Sequence, residues 1–250
     1  MAKILLYDIE TAPNLGYVWQ KWETNVIEFK TEWYMLSFAY KWLGNKSTKA
    51  YSLPDFPLYK KDTENDKELV RKLWELVNEA DIIVAHNGND FDIKKMNSRF
   101  IFHGFTPPKP YKAIDTKLAV KKVSGEMSNS LNDLSKNWGF GEKSDTGGFA
   151  TWKGCMSGDK KAWATMVKYN KHDVDLLEKV YLKIRPWITN HPNVSFFDEL
   201  LNCCPSCKSE KMQRRGFGYT KTSKYRRYQC QSCGSWSQGK PEIIDGLEIR

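Results

Sequence analysis

Two pairs of cysteines near the C-terminus constrain this chain more than any other feature. Cys204-Pro205-Ser206-Cys207 and Cys230-Gln231-Ser232-Cys233 are CxxC motifs separated by 22 residues. Each lets two thiolates converge on one ion from a tight turn, and two such turns complete a tetrahedral site. The stretch between them has hairpin character, with Gly216 and Gly218 as breakers and Tyr225-Arg226-Arg227-Tyr228-Gln229 running into the second pair. Disulfides do not suit a chain without a secretion signal, so the expectation is one structural Zn²⁺ held by Cys204, Cys207, Cys230 and Cys233. Four thiolates close the shell and leave no position for chemistry. Cys155 and Cys203 stand outside the pairs and are read as inert thiols.

The same segment carries nearly all of the net charge. Between residues 200 and 240, nine basic side chains against the single acid Glu210 account for +8 of the formal +9 of the 250-residue chain. Arg214, Arg215, Lys221, Lys224, Arg226 and Arg227 are the candidate nucleic-acid-binding groups, because a concentrated basic module favours a polyanion. The module resembles the zinc ribbons appended to transposases and other DNA-handling proteins. The preceding residues are close to neutral and, with 40% apolar and 14% aromatic residues in the whole chain, suffice for a buried core. No run approaches the ~18 apolar residues of a membrane span, and the start, Ile4-Leu5-Leu6-Tyr7 cut off by Asp8, reads as too short and too quickly acidic for a signal peptide, so none is expected. A soluble, cytoplasmic protein is expected, with no membrane partner.

The N-terminal part carries the acids that matter. Lys3 to Asp8 reads as a buried strand, and Asp8 and Glu10, two residues apart, project from one face of it. Two like charges at the end of a buried strand are costly unless a cation neutralises them. Ala80 to His86 reads as a second buried strand leading into Asn87-Gly88-Asn89-Asp90-Phe91-Asp92 and a helix to about His103. Helical spacing over Lys160–Ile184 sets Tyr169 and Asp173, four apart, on one helix face. Strands near 3–8, 35–42, 47–53, 80–86 and 112–115, with helices near 66–79, 92–103, 116–122, 130–137 and 159–184, make an α/β domain.

Tyr7-Asp8-Ile9-Glu10-Thr11, His86-Asn87-x-x-x-Phe91-Asp92 and Tyr169-x-x-x-Asp173, in that order, resemble the three motifs of the DEDD superfamily of ribonuclease H-like 3′–5′ exonucleases. The resemblance spans roughly residues 3–185, and Ser130-Leu131-Asn132-Asp133-Leu134 looks like the helix that often lies between the second and third motifs. It implies a mixed five-stranded sheet, flanked by helices, whose second strand is antiparallel. It also implies Asp8, Glu10, Asp92 and Asp173 as ligands for two Mg²⁺ or Mn²⁺ ions, with Tyr169 marking the tyrosine-type subfamily. Asp90 rivals Asp92, although the asparagine–aromatic–aspartate pattern favours Asp92 and Asp90 would suit a helix cap.

The chemistry agrees with the resemblance. A phosphodiester is repelled by carboxylates until metal ions invert the local charge, and two cations about 4 Å apart can activate water and stabilise the leaving oxygen. The expected activity is metal-dependent 3′–5′ exonuclease hydrolysis, DNA preferred over RNA, with the ribbon aiding substrate binding. The alternatives are an RNA-trimming or endonucleolytic enzyme on the same fold, or a catalytically silent nucleic-acid-binding adaptor. Expected partners are a nucleic acid with a free 3′ end and a polymerase or other replication or repair protein. The expected organisation is a nuclease domain over 1–185, a linker over 186–200, the ribbon over 201–240 and a tail over 241–250. His86 and His172 are read as supporting or packing groups, and Asp115-Thr116 as a supporting pair or a helix N-cap. Tyr17, Trp19, Trp22, Trp33, Tyr34 and Trp42 could stack on an unpaired base, but packing in the core of a long hairpin is the expected role.

Overall fold

The structure, a computed structural model, describes residues 2–22, 25–200 and 202–242. It divides into two compact units, one of Lys3–Val180 and a second containing Ala2 and the described residues from Tyr181 onward. In chain order the first unit runs β1 (Ile4–Thr11), β2 (Leu15–Tyr17), β3 (Glu28–Thr31), β4 (Met35–Trp42), β5 (Lys49–Ser52), α1 (Lys67–Glu79), β6 (Ile82–Ala85), α2 (Asp92–Phe102), β7 (Lys112–Asp115), α3 (Thr116–Val123), α4 (Leu131–Asn137) and α5 (Phe149–Met156). The long helix α6 (Lys160–Ile184) follows.

Five strands form one mixed sheet in the order β5-β4-β1-β6-β7. Strand β4 runs antiparallel to β1, whereas β6 is parallel to β1 and β7 to β6. Because β1 lies at the centre and is covered on both faces, Ile4 to Tyr7 are all buried. This is the α/β, ribonuclease H-like sheet with an antiparallel second strand that the motifs led one to expect. Leu5, Tyr7 and Ile9 enter an apolar cluster with Leu36, Phe38, Val70, Leu73 and Val77. That packing fixes the strand so that Asp8 and Glu10 emerge together from its other face.

The aromatic segment after β1 departs from expectation. Strands β2 and β3 form a separate two-stranded sheet; Tyr17 at the end of β2 is 58% exposed, and Trp19 and Trp22 in the connection after it are 87% and 85% exposed. Only Tyr34 is buried; Trp42 packs partly against the core and Trp33 is half-buried. Core packing is therefore wrong for the hairpin rings: among the described residues nothing buries Tyr17, Trp19 or Trp22, as befits a two-stranded ribbon with two open faces.

In the second unit, β8 (Met212–Tyr219), β9 (Lys224–Cys230) and β10 (Trp236–Glu242) form a meander in the order β10-β9-β8. The stretch expected as a linker has local structure, with 3-10 turns at Arg185–Trp187 and Val194–Asp198 and the Val194 N–H bonded to the Pro205 carbonyl. Residues 243–250 of the expected tail lie outside the described residues. Among the described residues no helix is long and apolar enough to cross a membrane.

Candidate active site

Carboxylate oxygens of Asp8, Glu10 and Asp173 lie within 4.8 Å of one another. Asp8 and Glu10 come from the end of β1, and Asp173 comes from the middle of α6, one turn after Tyr169. Asp92 is the first residue of α2 and is buried, and its Oδ1 accepts the Ile9 N–H at 3.1 Å, which ties it to the backbone between Asp8 and Glu10. Asp90 is mostly exposed and bonds Lys94 at 3.0 Å; it neither caps α2 nor joins the cluster.

Burial and mutual repulsion push these acids up. The Asp8 carboxyl is raised well above the ordinary range, by burial first and then by Glu10, Asp92 and Asp173. Burial, then Asp173, lifts Glu10 to about 8, and burial lifts Asp92 to about 7 against the Ile9 N–H. Asp173 is raised by burial although Lys143 opposes the shift.

Lys143 is the one basic side chain bonded to this cluster among the described residues. Its Nζ donates to Asp173 Oδ2 at 2.6 Å and to the Tyr169 hydroxyl at 3.0 Å. Burial lowers the Lys143 pKa, but Asp173 outweighs it, and the ammonium is held above the ordinary lysine range. Neighbouring elements place this group. The Lys143 N–H bonds Asn132 Oδ1 at 2.9 Å, and His172 Nε2 bonds the Glu142 carbonyl at 2.8 Å. The helix carrying Asn132 is capped by Ser130, whose Oγ accepts the Asp133 N–H. Trp152 of α5 meets the Tyr169 ring edge-on at 6.3 Å, and burial keeps the Tyr169 hydroxyl protonated well beyond neutral pH.

Asn170 is a second group that the motifs do not reveal. It is fully buried and donates from Nδ2 to Asp8 Oδ2 at 2.6 Å, while Ser37 Oγ donates to its Oδ1 at 3.2 Å. The serine fixes the amide so that its NH₂ faces the carboxylate, since the opposite flip would set a carbonyl oxygen against it. Asp115 does both things expected of it. It caps α3 at the Leu118 N–H and accepts the N–H groups of Asn87 and Asn89, pinning the loop that leads to Asp92. His86 bonds Thr116 Oγ1 and the Asn129 carbonyl, each at 2.9 Å, and burial lowers it to about 4, so it is a neutral packing group.

The donor set fits divalent cations. All four acids offer oxygen, the ligand that Mg²⁺ and Mn²⁺ prefer, and the buried Asp173 Oδ1 has no hydrogen-bond partner. One ammonium cannot neutralise four carboxylates.

The four cysteine sulfurs form a second cluster, also within 4.8 Å of one another. Cys204–Cys233 and Cys207–Cys230 are 3.6 and 3.7 Å apart, too far for a disulfide and close to the ~3.8 Å edge of a tetrahedron with 2.3 Å metal–sulfur bonds. Two matching turns supply them. The Lys208 N–H bonds the Cys204 carbonyl and the Gly234 N–H bonds the Cys230 carbonyl, while Cys204 and Cys230 donate their own N–H groups to Ser209 and Ser235. The arrangement suits zinc. Cys155 is buried and pushed up to about 12, first by burial, which makes it a poor nucleophile.

Two outcomes follow. Because Glu10 and Asp92 are raised from ordinary values near 4 to about 8 and about 7, the folded state binds more protons than the unfolded chain in that window. Stability without divalent cation should therefore fall as pH rises from about 4 to 8, and added Mg²⁺ should raise the melting temperature more at pH 8 than at pH 5. Calorimetry in magnesium-free buffer without chelator, which leaves a cysteine-bound metal in place, reads this. Asn170→Leu should weaken Mn²⁺ binding by about 10–100-fold in isothermal titration while the fold persists.

A family model of the RNase_H superfamily matches residues 23–185, roughly two thirds of the chain. The match takes in Asp92, Tyr169 and Asp173 and begins after β1, beyond Asp8 and Glu10. No curated protein matches the chain. Among solved structures, the family B DNA polymerase from the hyperthermophilic archaeon Pyrobaculum calidifontis is similar in fold, with a TM-score of 0.51 at 14% identity over 74% of this chain and 25% of that one. The chain thus spans about a quarter of the polymerase's length. RNase H-like nucleases use divalent metals, so the family match supports a nuclease and accords with the acidic cluster. By that match and by its β5-β4-β1-β6-β7 sheet, the chain belongs to the RNase_H superfamily.

Proposed function

We propose that this chain is a metal-dependent 3′–5′ exonuclease of the tyrosine-type DEDD class, hydrolysing phosphodiester bonds of nucleic acid with a weak preference for DNA. The observation that carries the reading is the convergence of Asp8, Glu10 and Asp173 within 4.8 Å, beside a buried Asp92 and with Tyr169 one helical turn away. Four acids with this origin, two from one strand end and one from each of two helices, have no role in packing that would offset their mutual repulsion.

Asp8, Glu10, Asp92 and Asp173 would hold two Mg²⁺ or Mn²⁺ ions. Bound there, the cations supply neutralisation of the phosphate and activation of the attacking water. The Tyr169 hydroxyl accepts from Lys143 and bonds the Asp173 carboxylate; with cations on Asp173, that O–H would be the group that holds the water in line with the phosphorus. Lys143 brings a positive charge to the non-bridging phosphate oxygens once cations relieve it of Asp173. Asn170 holds the Asp8 carboxylate through Oδ2. The cysteine cluster would hold structural Zn²⁺ in a ribbon over residues 201–240, whose Arg214, Arg215, Lys221, Lys224, Arg226 and Arg227 add affinity for the phosphate backbone.

Oligonucleotides labelled at either end test this. With Mg²⁺ or Mn²⁺, a 5′-labelled strand should shorten stepwise, and a 3′ label should leave at once as mononucleotide. Asp8→Ala and Asp173→Ala should abolish both, and Tyr169→Phe should slow single turnover by about tenfold or more with little change in substrate affinity. Internal fragments of a circular strand, or undiminished hydrolysis by Asp8→Ala, would contradict the proposal.

A further inference from the structure

The β-meander of the second unit has two faces of different character. Residues paired across an antiparallel ladder project to the same side. Strand β9 pairs Tyr228 with Arg214, Arg226 with Phe217 and Lys224 with Tyr219. Each of these three successive rungs joins one aromatic ring to one cation. The regularity depends on a bulge between Arg214 and Phe217, where β8 advances three residues while β9 advances two. Gly216 sits in the bulge at φ +73°, a left-handed conformation that glycine adopts without penalty. Without the extra residue Phe217 and Tyr219 would turn to the opposite side from Arg214.

The rings and cations support one another. Lys224 Nζ lies 3.9 Å and Arg226 Cζ 4.9 Å from the Phe217 centroid. Tyr219 is 73% exposed. Glu242, opposite Lys224 on β10, is the acid here and pairs with both Arg226, at 3.1 Å, and Lys224, at 3.6 Å; one carboxylate against Arg214, Lys224 and Arg226 leaves the face net positive. Arg227 and Tyr225 point to the other side, where Arg227 lies 5.5 Å from the Trp236 ring.

We propose that the Arg214/Tyr228, Arg226/Phe217 and Lys224/Tyr219 face grips single-stranded nucleic acid, with the cations on phosphates and the rings stacked on bases. Rungs along a strand recur about every 7 Å, twice the ~3.4 Å step between stacked bases of a duplex strand. The periodicity fits an extended strand whose bases are unstacked. A duplex would meet the cations but could not present base faces to the rings. The inference rests on reading the second unit as the substrate-binding part of a nuclease, and it narrows that reading to unpaired strands and to one face.

Binding by the full chain carrying Asp8→Ala separates the two. The probes are a fluorescein-labelled 15-mer oligothymidylate, an abasic strand of equal length and charge, and a 15-base-pair duplex. The parent should bind the oligothymidylate about tenfold or more tighter than the abasic strand. Tyr219→Leu, at an exposed position, and Phe217→Leu should erase most of that difference with an unchanged salt slope. Arg226→Ala should instead make the slope of log affinity against log salt shallower by about 0.7 for each phosphate it no longer neutralises, with base preference retained. Equal affinity for abasic and base-bearing strands, or aromatic variants that bind as the parent does, would overturn the proposal. Loss of stepwise hydrolysis would not mimic either result, because these binding measurements need no cleavage.

Discussion

Repulsion among four carboxylates at the end of a buried strand is the interaction on which the first unit turns. Asp8, Glu10, Asp92 and Asp173 stand where burial and proximity both oppose ionisation. A sequence selected for stability alone would not gather them. The surroundings hold the cluster without cancelling it. The Ile9 N–H fixes Asp92, Asn170 fixes Asp8, and Asp115 fixes the loop that leads into α2. Lys143 compensates one charge, from a loop held by Asn132 and by His172. Asn170 and Asp115 sit on regular elements and the Lys143 loop is bonded to two helices, so the acids keep their positions while remaining short of positive charge.

The second unit solves a different problem. A three-stranded meander with almost every side chain at least partly exposed has little apolar core of its own. The four sulfurs converge at one end of it, presented by two turns with the same hydrogen-bond pattern, and the Zn²⁺ proposed there would take the place of that core. With stability supplied from that end of the sheet, the strands would be free to display rings and cations on their surface.

Much of this is legible in the residues because two periodicities are rigid. A period of two places Asp8 and Glu10 on one side of a strand, and an interval of four places Tyr169 and Asp173 on one side of a helix. The CxxC spacing locates the sulfur cluster as directly. What stays hidden lacks a period. Lys143 sits in an irregular segment 30 residues before Asp173, and only the folded chain brings them to 2.6 Å. Asn170 adjoins a motif residue, yet its partners Asp8 and Ser37 lie on two different strands. Helix α5 escapes a sequence reading because Gly147, Gly148 and Gly154 mask it; a Cβ on Gly154 would stand 2.6 Å from the Ala162 Cβ, so that glycine permits close helix packing. The bulge at Gly216 is visible in the sequence as a breaker, but not as the device that turns Phe217 and Tyr219 beside the cations.

The central claim is that the acids are gathered to hold divalent cations. Crystals grown with Mn²⁺ and measured at the manganese absorption edge test it most directly. Anomalous peaks between the carboxylates of Asp8, Glu10 and Asp173, with Lys143 drawn away from Asp173, are the result predicted. Manganese bound elsewhere, with Lys143 still seated on Asp173 at saturating Mn²⁺, would contradict the account.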